Sequence, residues 1–247
     1  MSAGRDVVVV GAPRSGTSML AGLFVDAGHH AGRRLIPPTP SNPAGFHEDL
    51  DVNAANDDLL DAIADRPVDG TAAPPRSLRW LGAFAGWVDD ARGRDLTDLV
   101  PERPYVLKDP RFCYTLPAWL GALDHPAVLV VVRHPEEVVA SVASMRAREP
   151  ETFAGFDPGP DHVRAMWVAM HRAVLGWCDA PGAPDVTFVS CDDVRDGTAL
   201  ARLREVTGVP LADSSIQPRL HRERGDDPPT GAALNALLEE LLGRCRR

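Results

Sequence analysis

The first strand-to-helix junction of this chain is the feature that most constrains its fold. Residues 7–10 are four consecutive valines, which is typical of a central parallel strand covered on both faces. Gly11 ends this run, and a helix is predicted from about Thr17 to Ala27. The segment 11–18 therefore joins a buried strand to a helix N-terminus, where backbone N–H groups and the helix dipole favour an anion.

The side chains of this segment, Gly-Ala-Pro-Arg-Ser-Gly-Thr-Ser, suit a phosphate ligand. The glycines allow the backbone to approach the ligand closely, the hydroxyls add donors, and a guanidinium can lie beside the anion. A tight turn with helix caps and a surface arginine is the alternative interpretation. The residues expected to bind phosphate are Arg14, Ser15, Gly16, Thr17 and Ser18.

The segment differs from the G-x-x-x-x-G-K-[ST] pattern of triphosphate-binding loops at one informative position. Thr17 stands where that pattern has a lysine, which reaches the β- and γ-phosphates of a nucleoside triphosphate. A triphosphate substrate is therefore disfavoured. The basic group is instead Arg14, beside the point where a 5′-phosphate would lie.

The rest of the chain alternates predicted strands and helices. Strands are predicted at 105–108, 127–132 and 186–190, and helices at 51–65, 77–92, 117–123, 135–148, 162–178 and 231–244. This alternation predicts an α/β fold, in which a parallel β-sheet of four to five strands is flanked by helices within a single domain over 1–247. Ligands of such sheets bind beyond the carboxyl ends of the strands.

A second anion site is predicted at the end of the most apolar strand. Arg133 follows that strand, and Ser141 lies eight residues later on the second turn of the next helix, so that both could meet one anion. An arginine followed by a helix that carries a serine is common, and the pair alone is a weak signal. Two anion sites at neighbouring strand ends are more specific, because they fit a nucleotide with separate 5′- and 3′-phosphates.

These motifs resemble those of the sulfotransferase family. Residues 11–20 are similar to the 5′-phosphosulfate loop of the family, and residues 130–141 are similar to its 3′-phosphate motif, with the same spacing from arginine to serine. Residues 42–48 and 107–111 are similar to segments of bacterial members. The resemblance covers about half of the chain. It implies a P-loop NTPase-like sulfotransferase fold, 3′-phosphoadenosine 5′-phosphosulfate (PAPS) as the donor, adenosine 3′,5′-bisphosphate as the product, and no metal.

Transfer of a sulfuryl group to a hydroxyl requires a base for the acceptor proton and stabilisation of the leaving oxygen. The resemblance implies Arg14 on the leaving-group side, where animal cytosolic members usually carry lysine. His47 and Glu48 are the candidate bases, and histidine has a suitable unperturbed pKa. Glu48 is favoured because bacterial and tyrosylprotein sulfotransferases place a catalytic glutamate in this loop. A helix N-terminal charge or a salt bridge is its alternative role.

Other basic residues are candidates for the same site. Lys108 and Arg111 follow another predicted strand and could reach the sulfuryl group or an acidic acceptor, or they could form an ion-pair cluster at the turn with Asp109. The basic, glycine-rich C-terminal segment of animal cytosolic members is missing. Arg219 and Arg222 are expected to replace it near the 3′-phosphate.

Composition argues against several classes of partner, namely nucleic acid, membranes and zinc. The net charge of −9 argues against nucleic acid, and no apolar run approaches membrane length, so a cytoplasmic location is expected. The four cysteines form no C-x-x-C pair, which disfavours zinc.

The leucine-rich face of residues 231–244 indicates core packing or a homodimer contact. The expected acceptor is a hydroxyl of a small molecule, carbohydrate or natural product, in a pocket shaped by loops 33–45 and 65–75.

Two alternative functions stay open at this point. A small-molecule or nucleoside kinase is supported by Asp192 and Asp193, which follow the last predicted strand and could bind magnesium, but the missing lysine opposes it. A catalytically idle nucleotide-binding module is the other alternative, and a base at position 48 would serve no purpose there.

Overall fold

The computed structural model describes residues 4–212 and 231–246. Its strands are β1 (Val7–Val10), β2 (Val106–Lys108), β3 (Ala127–Val132) and β4 (Val186–Ser190). The α-helices are α1 (Thr17–Asp26), α2 (Leu50–Leu60), α3 (Phe112–Trp119), α4 (Pro135–Arg148), α5 (Pro160–Cys178), α6 (Cys191–Asp196), α7 (Leu200–Thr207) and α8 (Ala232–Cys245). Short 3₁₀ segments are found at Arg76–Leu81, Thr97–Leu99 and Pro150–Phe153.

The strands form a parallel sheet in the order β2-β1-β3-β4. β1 lies inside this sheet, with Val8 paired to Leu107 of β2 and to Val128 of β3. All four valines of β1 are buried, because helices cover both faces of the sheet. The predicted α/β fold, a parallel sheet flanked by helices, is therefore confirmed, with four strands in the described residues.

Alternate strand residues belong to two separate hydrophobic cores. Val8 and Val10 pack in the core that includes residues of α2, α3, α4, α5 and α8. Val7 and Val9 pack in the core that includes residues of α1, α6 and α7. Because both faces of the sheet are covered by helices, consecutive strand residues are all apolar and do not alternate with polar ones. The carboxyl ends of the strands are left open to a ligand.

The predicted helix over 77–92 is wrong. The structure has a short 3₁₀ segment that ends before Gly82, followed by irregular backbone. The reason is the buried hydroxyl of Tyr114, which accepts from the N–H of Phe84 at 3.2 Å and donates to the carbonyl of Gly82 at 3.0 Å. Most apolar side chains of this segment are buried as expected, but after Gly82 its backbone groups bond to Tyr114 of α3 and to residues 66–68 instead of forming a helix.

The short helix predicted at 117–123 begins earlier, at Phe112, and Pro117 lies inside it. A proline has no N–H, so the carbonyl of Cys113 loses its usual intrahelical partner. The indole Nε1 of Trp177 donates to that carbonyl at 2.9 Å and replaces the missing bond. A residue far along the chain therefore makes this helix tolerate its proline.

The C-terminal helix α8 packs against β4. Leu237, Leu238 and Leu241 are buried in the core, which agrees with core packing for this leucine-rich face. The homodimer contact stays a prediction. No helix in the described part of the chain is both long and apolar enough to cross a membrane.

Candidate active site

One cavity of about 1000 Å³ opens at the carboxyl ends of all four strands. Its lining includes Gly16 after β1, Lys108 at the end of β2, Arg133 after β3 and Cys191 after β4. This is where a parallel α/β sheet binds its ligands. The volume lies at the upper end of the range for small-molecule pockets.

The loop after β1 forms one corner of this cavity, with backbone groups and side chains that suit an anion. Gly16 precedes α1 with a φ of 89°, a left-handed conformation that favours glycine. A Cβ added to Gly16 would lie 2.7 Å from Sγ of Cys191, so that the loop and the start of α6 approach each other closely. The first-turn N–H groups of α1 have no intrahelical partners, and the N-cap residue, Gly16, has no side chain that could bond to them. Thr17 and Ser18 add hydroxyls to the lining.

Arg14 joins the two predicted anion motifs. Its Nε donates to Oγ of Ser141 at 3.1 Å, and its Nη2 donates to the carbonyl of Ser41 at 3.1 Å. In turn, Nη1 of Arg133 donates to the carbonyl of Arg14 at 2.8 Å. The loop after β1 and the motif after β3 are therefore in direct contact.

The orientation of Arg133 is fixed by its neighbours. Its Nε donates to Oε2 of Glu137 at 2.7 Å, and the indole of Trp167 donates to its carbonyl at 3.1 Å. Arg195 of α6 lies 3.7 Å from the same carboxylate of Glu137 and also lines the cavity. Arg195 was not among the predicted site residues, although its place shortly after the last strand was a usable signal.

Glu48 is a buried carboxylate at the cavity wall. It is 7% exposed and forms an ion pair with the ammonium of Lys108, which is also buried. The Nδ2 of Asn53 donates to Oε2 of Glu48 at 3.1 Å. Asp49 caps α2 by accepting from the N–H of Asp51 at 2.7 Å, so Glu48 enters the site just before a fixed helix start. Asn53 was not among the predicted site residues.

His47 takes a different direction from Glu48. Its backbone has a φ of 53°, and a Cβ added to Gly22 of α1 would lie 3.3 Å from its Nε2. Burial and the nearby Lys108 ammonium lower the pKa of His47, which favours the neutral ring at pH 7. Glu48 lines the cavity, whereas His47 packs beside α1.

A second group of buried charges lies next to Lys108. Arg111 donates from Nε to Oδ1 of Asp57 at 2.6 Å, and from Nη1 to Oδ1 of Asp109 at 3.1 Å. The backbone N–H of Arg111 also bonds to Asp109, which fixes the turn at Pro110. Burial raises the pKa of Asp57, against the opposing effect of Arg111. Of the two basic residues at this end of β2, Arg111 thus forms the ion-pair cluster and Lys108 bonds to Glu48.

The loop around Ser41 covers the corner of the cavity that the loop after β1 forms. The side chain of Asn42 donates to Oγ of Ser18 at 3.4 Å, and the N–H of Ser41 donates to Oε1 of Glu149 at 2.8 Å. Much of the predicted pocket loop 33–45 lines the cavity. The other predicted pocket loop, 65–75, does not, and the chain reaches the cavity again only at Ser77.

The sequence also predicted a basic C-terminal pair near the 3′-phosphate and a possible magnesium site after the last strand. Arg219 and Arg222 lie outside the described residues. Asp192 and Asp193 are in the first turn of α6. Within residues 4–212 and 231–246, no three His, Cys, Asp or Glu side chains are grouped as metal ligands would be.

The architecture is similar to that of solved structures. The chain is similar to the sulfotransferase domain from the Synechococcus PCC 7002 olefin synthase, with a TM-score of 0.56 and 15% identity over 96% of this chain and 94% of that chain. The chain has the sulfotransferase fold. At this identity, the likeness concerns the fold alone.

Looser similarity is found to two other sulfotransferase structures. The sulfotransferase domain from the curacin biosynthetic pathway gives a TM-score of 0.48 at 18% identity, over 94% of this chain and 82% of that chain. A sulfotransferase from Mycobacterium tuberculosis H37Rv gives 0.46 at 17% identity, over 99% and 77%. No protein-family model and no curated protein matches the chain.

Proposed function

We propose that this protein transfers a sulfuryl group from PAPS to a hydroxyl of a small-molecule acceptor without a metal. One observation carries the proposal. A single cavity is lined by the loop that contains Gly16, by Arg133 with Ser141, and by the Glu48–Lys108 pair. Two anion sites and a buried carboxylate therefore face the same space, as a doubly phosphorylated donor and a hydroxyl acceptor require.

The groups for the donor are present in the cavity lining. The first-turn N–H groups of α1, with Thr17 and Ser18, would hold the 5′-phosphosulfate. Arg133 and Ser141 would hold the 3′-phosphate. The Oγ of Ser141 already accepts from Arg14, which leaves its single O–H to donate to a phosphate oxygen. Gly16 lets this loop lie against Cys191, because an added Cβ would be 2.7 Å from Sγ of Cys191.

The donor supplies the sulfuryl group, and the chain supplies the base and the charge stabilisation. Glu48 accepts the proton of the acceptor hydroxyl while that oxygen bonds to sulfur and the bond from sulfur to the bridging phosphate oxygen breaks. The ion pair with Lys108 holds the carboxylate in position beforehand. Once the proton is on Glu48, the Lys108 ammonium can donate to the transferring group. Arg14 stabilises charge on the leaving phosphate.

The substitution Glu48→Gln tests the assignment of the base. It keeps the size of the side chain and removes the proton acceptor, so we expect kcat to fall by about 100-fold or more. The Kd of adenosine 3′,5′-bisphosphate should stay within a few-fold of wild type. Steady-state kinetics and calorimetry measure the two quantities.

The neighbouring residue provides the matched control. His47→Asn suits the positive φ at this position and changes a ring that packs beside α1. We expect its kcat to stay close to that of wild type. Unchanged turnover in Glu48→Gln, or a large loss confined to His47→Asn, would contradict the assignment.

A further inference from the structure

The cavity continues past the catalytic carboxylate along an apolar wall. α2 turns one face to the cavity, with Leu50, Asn53, Ala54 and Asp57 at the spacing of a helix face. Two further apolar side chains, Trp80 and Met145, also line the cavity. We use the term apolar wall for Leu50, Ala54, Trp80 and Met145.

The wall residues on and beside α2 lie toward the β2 edge of the sheet. α2 packs against α3, which follows β2, whereas Arg133 and Arg195 follow β3 and β4. Trp80 is held beside α2, because its neighbour Arg79 donates to the carbonyl of Asp57 at 2.5 Å. Its ring also meets Phe153 edge to face, with centroids 6.2 Å apart. Leu50, Ala54 and Trp80 therefore form the part of the apolar wall on the Glu48 side of the cavity, whereas Met145 lies one helical turn after Ser141 on α4.

The charges beside this wall are already matched within the protein. Lys108 pairs with Glu48, and Arg111 pairs with Asp57, in both cases with little exposure to water. A charged acceptor would have to compete with these buried pairs, and a carbohydrate would need hydrogen-bonding partners for each of its hydroxyls. Leu50 is 40% exposed, so an apolar ligand that covers it removes apolar surface from water.

We infer that the acceptor carries its hydroxyl on an uncharged, apolar body, aromatic or aliphatic, which packs against Leu50 and Trp80 while the hydroxyl reaches Glu48. This inference rests on the proposed sulfuryl transfer and narrows its acceptor from hydroxyl compounds in general to apolar alcohols and phenols. The sugar hydroxyls that the sequence also allowed do not match this wall.

An acceptor panel at saturating PAPS tests the inference. The apolar probes are 2-naphthol and 1-octanol, and the polar probe is methyl β-glucoside, which also offers hydroxyls but no large apolar surface. We expect kcat/KM for the better apolar probe to exceed that for the glucoside by about 100-fold, a difference of two tenfold steps in transition-state binding. Calorimetry of 2-naphthol with the bisphosphate-saturated protein gives a readout that does not depend on turnover.

Two exposed leucines provide a matched pair of variants. Leu50 lines the cavity. Leu35 is similarly exposed, at 44%, and lies close by, because its backbone bridges to Asp49, but it is not part of the cavity lining. We expect Leu50→Ser to weaken 2-naphthol binding by about tenfold, through lost apolar contact, and Leu35→Ser to leave it unchanged. Neither variant should change the Kd of the bisphosphate.

Several results would overturn the inference while the proposed function stands. These are bisphosphate binding together with equal or better use of the glucoside, absence of both turnover and binding for the apolar probes, and equal behaviour of Leu50→Ser and Leu35→Ser. Failure of the bisphosphate to bind would instead remove the proposed function, and the acceptor inference with it.

Discussion

Glu48 is held in place by residues from two other elements. Lys108 comes from β2 and Asn53 from α2, and both bond to the same carboxylate. His47 and Glu48 are neighbours in the sequence, and only the resemblance to the sulfotransferase family favoured Glu48 as the base. The structure separates their directions, because the left-handed backbone at His47 sends its ring toward α1 while Glu48 lines the cavity.

A chain of single residues also supports the strand end that carries Arg133. The indole of Trp167 donates to the carbonyl of Arg133, and the Nδ1 of His171 is 2.7 Å from the carbonyl of Trp167. In the neutral tautomer that donates from Nδ1, this contact is a hydrogen bond. Burial lowers the pKa of His171 from 6.5 to about 4. The fold therefore requires a neutral imidazole at this position.

This requirement predicts a pH dependence of stability. The folded pKa of His171 is depressed, so its contribution is fully present above pH 6.5 and is lost as the pH falls toward 4. Between pH 7 and pH 5, we expect the free energy of unfolding of wild type to fall by about 2 kcal/mol more than that of His171→Gln. Urea unfolding at the two pH values measures the difference. Parallel pH profiles for the two proteins would contradict this account.

At the scale of elements, the loop after β1 packs closely against the start of α6. Gly16 combines a positive φ with a close approach to Cys191, whereas Gly28, just after α1, has a φ of 95° and no atom within 4 Å of an added Cβ. The two glycines therefore share the backbone requirement, but only Gly16 also has a steric one. Comparing substitutions at the two glycines therefore separates the cost of the left-handed backbone from the cost of the steric contact with Cys191.

The pair Gly16→Ala and Gly28→Ala exploits this difference. Each should lose about 1 to 2 kcal/mol of stability from the left-handed backbone. Gly16→Ala should lose more, because its Cβ meets Cys191, and it should also weaken bisphosphate binding by more than about tenfold. Thermal unfolding and calorimetry give both quantities. Equal bisphosphate affinity in the two variants would argue against this loop as the donor site.

Elements with strong local signals were predictable from the sequence. The strands, α1, α4 and α5 follow from apolar runs, helix periodicity and the position of Pro135, and the structure has them close to the predicted bounds. The segment 77–92 and the start of α3 were not predictable, because each depends on contacts with residues distant in the sequence. Tyr114 bonds the backbone of the first, and Trp177 bonds the carbonyl that Pro117 leaves unpaired in the second.

At the scale of the whole molecule, the sheet order brings the candidate site together. The sequence predicted that Arg14, Arg133 and Lys108 follow strand ends, and the parallel order puts those ends around one cavity. It could not predict that Asn53 and Arg195 face the same space, because this depends on how α2 and α6 pack on the sheet. Fold and cavity together support a donor with two separated phosphate groups.

Calorimetry with adenosine 3′,5′-bisphosphate in the absence of magnesium tests this account most directly. Both anion sites should engage the ligand, so we expect the bisphosphate to bind at least about tenfold more tightly than adenosine 5′-phosphate, which lacks the 3′ group. ATP with magnesium should bind more weakly than the bisphosphate, since Thr17 replaces the lysine of triphosphate-binding loops. Preference for ATP with magnesium, or equal binding of the mono- and bisphosphate, would contradict the account.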